Sequence, residues 1–247
     1  MCVVEDDGEI HVAAQDMEIS NQFAIDTEVK RRIETCKTIL LDFNLKPVRN
    51  LDSKIVLKFQ KIILERICAI GRESNKTILA DPTSLFRIPE REAVIRKLDF
   101  YFPNLAELIV TEMQVTKGEV DFDEAQRVES SWLAEPSKLG LNIKNCCENL
   151  RKSGVNCELL VTAAEHGVFH VEDTDVVHYP LISSVNWEKV PRGDPVHVNG
   201  CGDTFTGCFV AQLSKGELSK EEIIKAALTA SQISLRSVQN ISPVIDF

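Results

Sequence analysis

The sequence predicts an α/β fold, a mostly parallel sheet with helices on both faces. Short apolar runs such as KTILLDFN at 37–44 and ELLVT at 158–162 alternate with stripes of helical period along the chain. A glycine-rich turn, Gly200-Cys201-Gly202, falls where an extended run meets a helix. The chain has 247 residues, 44% of them hydrophobic, enough to bury the core of one domain over 1–247.

The elements follow in order. Residues 1–17 read as a hairpin, with Val3 and Val4 before an Asp-Asp-Gly turn and Ile10, Val12 and Ala14 alternating after it. Thr27 to Thr35 is a charged helix, and Lys37 to Asn44 a buried strand whose carboxyl end carries Asp42 and Asn44. In open α/β sheets ligands collect at that edge. Lys54 to Ile70 carries a helical stripe of Ile55, Phe59, Ile62, Ile63 and Ile67. Lys76 to Ala80 is a strand running into Asp81-Pro82, where the proline holds Asp81 extended and ends it.

Leu98 to Phe102 is the next strand. Asn104 and Glu107 follow it with the spacing of a capping box, so they serve as a helix start whatever else they do. Helices at 121–133 and 143–152 cover the sheet, and strands follow at 158–162, 168–171 and 176–179. A polar loop reaches His197 and the stretch VHVNGCGDTFTGCFVAQL. There Phe205, Phe209 and Leu213 recur every fourth residue on a helix starting near Asp203 or Thr204. Lys220 to Leu235 is the last long helix.

Composition narrows the function. A net charge of −10 argues against a sequence-independent grip on nucleic acid, which needs clustered Lys and Arg. No apolar run is long enough to span a bilayer, and the acidic start MCVVEDDGEI is unlike a secretory signal, so a cytoplasmic location without a membrane partner is expected. Cys2, Cys36, Cys68, Cys146, Cys147, Cys157, Cys201 and Cys208 form no CxxC pairs and read as reduced thiols. His166 and His170 lie in a strand-like stretch and read as structural. A Walker A string is absent.

The glycine turn carries the chemistry. The first N–H groups of a helix lack intrahelical partners and the macrodipole is positive there. Glycines let a phosphate approach those donors, and Asp203 lies where an incoming hydroxyl would need a base. The alternative is that Asp203 is an N-cap and the glycines a tight turn.

Gly200-Cys201-Gly202-Asp203, followed by an apolar helix containing Gly207, resembles the C-terminal signature of the PfkB, or ribokinase-like, carbohydrate kinases. That signature usually reads Asp-x-x-Gly-Ala-Gly-Asp; here Cys201 replaces the alanine and His197 stands where its first Asp often stands. The resemblance implies a ribokinase-like fold with Gly200, Cys201 and Gly202 as the anion hole and Asp203 as the catalytic base. It implies that Asp42 and Asn44 neighbour the phosphate-transfer site, and that Asn104 and Glu107 organise Mg²⁺ and phosphate. Thr162 and Gly167 would line ATP with Asn104, although Ala164 occupies a usual glycine position. Asp81-Pro82-Thr83-Ser84 resembles the pseudouridine kinase branch. Residues 1–17 would be the segment returning from a substrate-covering lid, and 237–247 the closing segment near the adenine pocket.

The family's N-terminal strands, with their Gly-Gly substrate motif, have no counterpart here, so the fold is expected to be N-terminally incomplete. The expected activity is ATP-dependent phosphorylation of a sugar or nucleoside hydroxyl, with pseudouridine the favoured small-molecule substrate. The resemblance allows a homodimer or a fused glycosidase partner domain. The competing expectation is a catalytically incomplete kinase-like fragment or pseudoenzyme that binds nucleotide weakly.

Overall fold

A computed structural model describes residues 2–4, 10–13, 25–43, 53–181 and 200–234. The chain divides into two compact units, one of residues 17–179 and one combining 1–16 with 180–247.

The larger unit is built on six strands in sequential order: β3 (Thr38–Asp42), β4 (Thr77–Asp81), β5 (Phe100–Tyr101), β6 (Glu158–Thr162), β7 (Val168–Glu172) and β8 (Asp175–Tyr179). The first four run parallel, joined by helical crossovers; β7 and β8 return antiparallel. Helices α1 (Thr27–Thr35), α2 (Ser53–Glu73), α3 (Glu92–Ile95), α4 (Leu105–Lys117), α5 (Phe122–Ala134) and α6 (Leu139–Lys152) complete it.

One sheet face, with Ile39, Leu41, Ile78, Tyr101, Leu159, Val161, Phe169 and Val171, joins a single core with Leu64 and Ile67 of α2, Leu108 of α4 and Ile143 of α6. Strand residues alternate faces, so this set is what period-two patterning should bury. On α2, Gly71 passes so close to the sheet that a Cβ there would stand 2.7 Å from the Ile39 side chain. The opposite face carries Leu79, Phe100, Leu160 and Val168, also buried, and Leu40, which is exposed on β3.

In the smaller unit, β1 (Cys2–Val4) pairs antiparallel with β2 (Ile10–Ala13). Helices α7 (Cys201–Lys215) and α8 (Lys220–Ser234) pack together, and Phe205, Phe209, Ile223, Ile224, Ala227 and Leu228 are buried. Phe205 and Phe209 are the two stripe positions that the four-residue period assigns to the core; Leu213 is half-buried. Gly216 ends α7 in the left-handed region at φ 69°, a conformation a glycine takes without steric cost.

Candidate active site

The four parallel strands bring polar groups to their carboxyl edge. Asp42 and Asp81 are register partners at the ends of β3 and β4. Next along the edge, Asn104 makes a parallel bridge with Thr162, and the Thr162 amide donates to the Pro103 carbonyl at 3.0 Å. Asn44 and His197 lie outside the described residues, as does the closing segment 237–247.

Helix α4 starts with a complete capping box. The Glu107 amide donates to Asn104 Oδ1 at 2.8 Å, and the Asn104 amide donates to Glu107 Oε2 at 2.9 Å. The expected structural role of these residues is therefore present, and it holds Glu107 beside the sheet edge. Below it, Thr111 Oγ1 donates to the Glu107 carbonyl at 2.7 Å and lies 2.9 Å from the Tyr101 hydroxyl, which ties the first turn of α4 to β5.

Glu107 is nevertheless no ordinary capping carboxylate, because it is only 5% exposed. Burial pushes its pKa up to about 7; the Asn104 N–H opposes that rise, and the charges of Asp81 and Glu129 add to it. Asp81 is the site residue that sequence reasoning passed over. Its available signal was an acid closing a buried strand immediately before a proline. Hard carboxylate oxygens that repel one another at a sheet edge fit the chemistry of Mg²⁺. Glu107 and Asp81 would be the groups to hold it, with Asp42 beside Asp81. Asn104 fits less directly, since its Oδ1 already serves the cap; its amide N–H₂ suits a phosphate oxygen.

Beyond Thr162 the chain turns tightly, the Ala163 amide donating to the Gly167 carbonyl at 2.9 Å. Gly167 has φ 82° and ψ −138°, a combination open to little but glycine. Ala164 also has a positive φ, 45°. The left-handed backbone explains why a glycine suits this position better, and the alanine carries a strain of roughly 1–2 kcal/mol.

The start of α7 is built differently. Gly200 is the N-cap, at φ 84°, and among the described residues no side chain caps the helix. Helix formation begins at Cys201, two residues before the expected start, so Gly202 and Asp203 belong to the first turn and Asp203 is not the N-cap. Thr204 is the first residue whose amide closes back, donating to the Gly200 carbonyl at 2.8 Å. By helix geometry the N–H groups of Cys201, Gly202 and Asp203 have no intrahelical acceptor. A Cβ built on Gly202 meets nothing within 4 Å among the described residues, and Asp203 is exposed.

Helix α8 steadies this turn: Ser231 Oγ donates to the Cys201 carbonyl at 2.9 Å, and Ser234 Oγ lies 3.4 Å from Cys201 Sγ. Burial pushes the Cys201 thiol up, the Ser234 hydrogen bond opposes this, and the Asp203 charge adds to it. A thiol so disposed is a poor nucleophile, which leaves the Cys201 backbone as its functional part.

Comparison with known proteins agrees with this architecture. A carbohydrate kinase from Agrobacterium tumefaciens superposes with a TM-score of 0.58 at 20% identity, covering 98% of this chain and 62% of that one. Arabidopsis thaliana ribokinase, solved with ribose and ATP, gives 0.58 at 16% identity over 88% of this chain and 54% of that one. This chain thus spans about three fifths of the length of such structures. In sequence, adenosine kinase 2 of Arabidopsis thaliana is 36% identical over 77 residues, 31% of this chain and 20% of that protein. Residues 49–246 match the model of the pfkB family carbohydrate kinases, a span holding both helix starts described above, and the chain belongs to that family.

Proposed function

We propose that the chain transfers the γ-phosphoryl group of ATP to a hydroxyl of a sugar or nucleoside, with pseudouridine as acceptor and its 5′-phosphate as product. The observation that carries this is the uncapped start of α7, where orphan backbone donors lie next to an exposed carboxylate at Asp203. Asp203 takes the proton of the attacking hydroxyl. The N–H groups of the Gly200-Cys201-Gly202 turn meet the charge that builds on the migrating phosphoryl oxygens. Glu107, with Asp81, holds Mg²⁺, while Asn104, Thr162 and Gly167 receive the nucleotide. When bound, Mg²⁺ offsets the negative charge of the phosphates.

Pseudouridine is favoured by the Asp81-Pro82-Thr83-Ser84 string. The Thr83 amide donates to Asp81 Oδ1 at 3.0 Å, closing a small turn that fixes the Asp81 carboxylate at the strand end. The reading takes 1–247 as one kinase domain with β1 and β2 as the returning part of a lid, and places it in the cytoplasm. Among the described residues no helix is long and apolar enough to cross a membrane. The test is ADP release from MgATP with and without pseudouridine. Pseudouridine-dependent turnover that falls in Asp203→Ala supports the proposal; turnover unchanged by that substitution sinks it.

A second reading, a kinase-like chain that binds nucleotide weakly and does not turn over, is favoured by the Ala164 methyl on a left-handed backbone. Calorimetry separates the two. Weak MgATP heat with no pseudouridine heat supports the second, and saturable binding of both supports the first.

A further inference from the structure

At the opposite end of the sheet, β6, β7 and β8 set a row of acids side by side. Leu159 pairs with Val171, so one residue further along the ladder Glu158 falls opposite Glu172, which in turn pairs with Asp175 on β8. Directly opposed residues share a face, and like charges placed so are destabilising. His170, two residues before Glu172, shares that face and is 5% exposed, with Nε2 2.9 Å from Glu158 Oε2. One ligand atom from each of Glu158, His170 and Glu172 lies within 4.8 Å of the others. Thr162, at the catalytic edge, is four residues along β6 from Glu158, roughly 13 Å at strand rise.

We propose that Glu158, His170 and Glu172 bind a first-row divalent transition-metal ion such as Zn²⁺ or Co²⁺, clipping β6 to β7 at the end of the sheet opposite the edge that carries Asp42, Asp81 and Thr162. An imidazole with two carboxylates suits such ions better than Mg²⁺, which prefers oxygen ligands and its own water. Ligand bonds of about 2.0–2.2 Å place neighbouring ligand atoms roughly 3.3 Å apart, so the His170 to Glu158 contact opens only slightly to admit the ion. Three protein ligands leave a coordination position for water. Asp175 lies beside Glu172 on β8 and is not a ligand.

Titration of the whole chain with Co²⁺, followed by visible absorption, tests this. With Mg²⁺ in excess to occupy Glu107 and Asp81, one Co²⁺ per chain is expected, with weak d–d bands and no intense thiolate charge-transfer band. Glu172→Gln, at an exposed position, should weaken binding at least tenfold with the circular dichroism unchanged, and Glu107→Gln should leave it intact. Binding that carries a thiolate band, survives Glu172→Gln or disappears in Glu107→Gln overturns the assignment, as does no binding below millimolar Co²⁺.

Discussion

The starts of α4 and α7 answer the same physical problem in opposite ways. Every helix begins with N–H groups that its own carbonyls cannot reach. At α4 the chain satisfies them itself: Asn104 and Glu107 exchange side-chain-to-backbone hydrogen bonds at 2.8 and 2.9 Å. At α7 Gly200 offers no side chain, and among the described residues nothing crowds Gly202 and no side chain takes up the first donors. A closed helix start positions a residue, whereas an open one leaves donors that a ligand could use. Glu107 is positioned and becomes a buried acid; the α7 turn is available to an anion.

The largest expected effect tests the open end. Asp203→Ala should lower kcat by about 10²–10⁴, the usual range for a lost general base. KM for MgATP should stay near its wild-type value, and so should stability, because Asp203 is exposed. A comparable loss of stability would make Asp203 a structural acid at a positive helix end, and the contrast between the two helices would weaken.

Next comes the buried acid of the closed end. Folding raises the Glu107 pKa from 4.5 to about 7. Between those values the folded chain holds more protons than the unfolded one, so stability falls as pH rises through this window, by at most on the order of 3 kcal/mol. Glu107→Gln keeps the cap, since glutamine also completes a capping box. Its unfolding midpoint in urea should therefore vary less between pH 5 and 8 and exceed wild type at pH 8. Adding Mg²⁺ to wild type near pH 6.5 in weak buffer should release protons, because a cation favours the charged carboxylate. Release that persists in Glu107→Gln would move the cation elsewhere.

Much of this was legible in the chain because local rules and burial agree. The capping box is a four-residue spacing, and the structure contains it. The β3, β4 and β6 runs have apolar centres, Ile39–Leu41, Ile78–Ala80 and Leu159–Val161, bounded by polar ends, which marks short strands of a parallel sheet. The start of α7 was misplaced because the apolar stripe at Phe205 and Phe209 reports burial, while the helix is initiated by the left-handed Gly200 ahead of it. Strand β5 is shorter than the expected 98–102, covering Phe100–Tyr101, since the Leu98 amide turns back to the Ile95 carbonyl at 3.2 Å. Asp81 was marked in sequence only as an acid closing a strand before a proline; its weight comes from the register with Asp42 and the charge it places on Glu107, which the sequence does not show. The antiparallel return of β7 depends on the tight turn at Ala163–Gly167, and that of β8 on the turn at Asp173, φ 50°, and apolar patterning encodes the direction of neither.

Removing the cap should have a smaller effect. Asn104→Ala should cost about 1 kcal/mol in urea unfolding, with Asn104→Ser recovering most of it. The smallest effect decides most about the open end. Gly202 lies inside the first turn of α7 at a negative φ, with nothing among the described residues within 4 Å of a built Cβ. If that glycine serves only the helix, Gly202→Ala should add up to about 0.5–1 kcal/mol of stability and leave MgATP affinity alone. If the space above it is kept for a phosphate, the same substitution should stabilise the chain and still weaken MgATP binding, because the methyl stands over the orphan donors. Stability and affinity moving in opposite directions under a single methyl group is a result that a merely structural turn cannot produce.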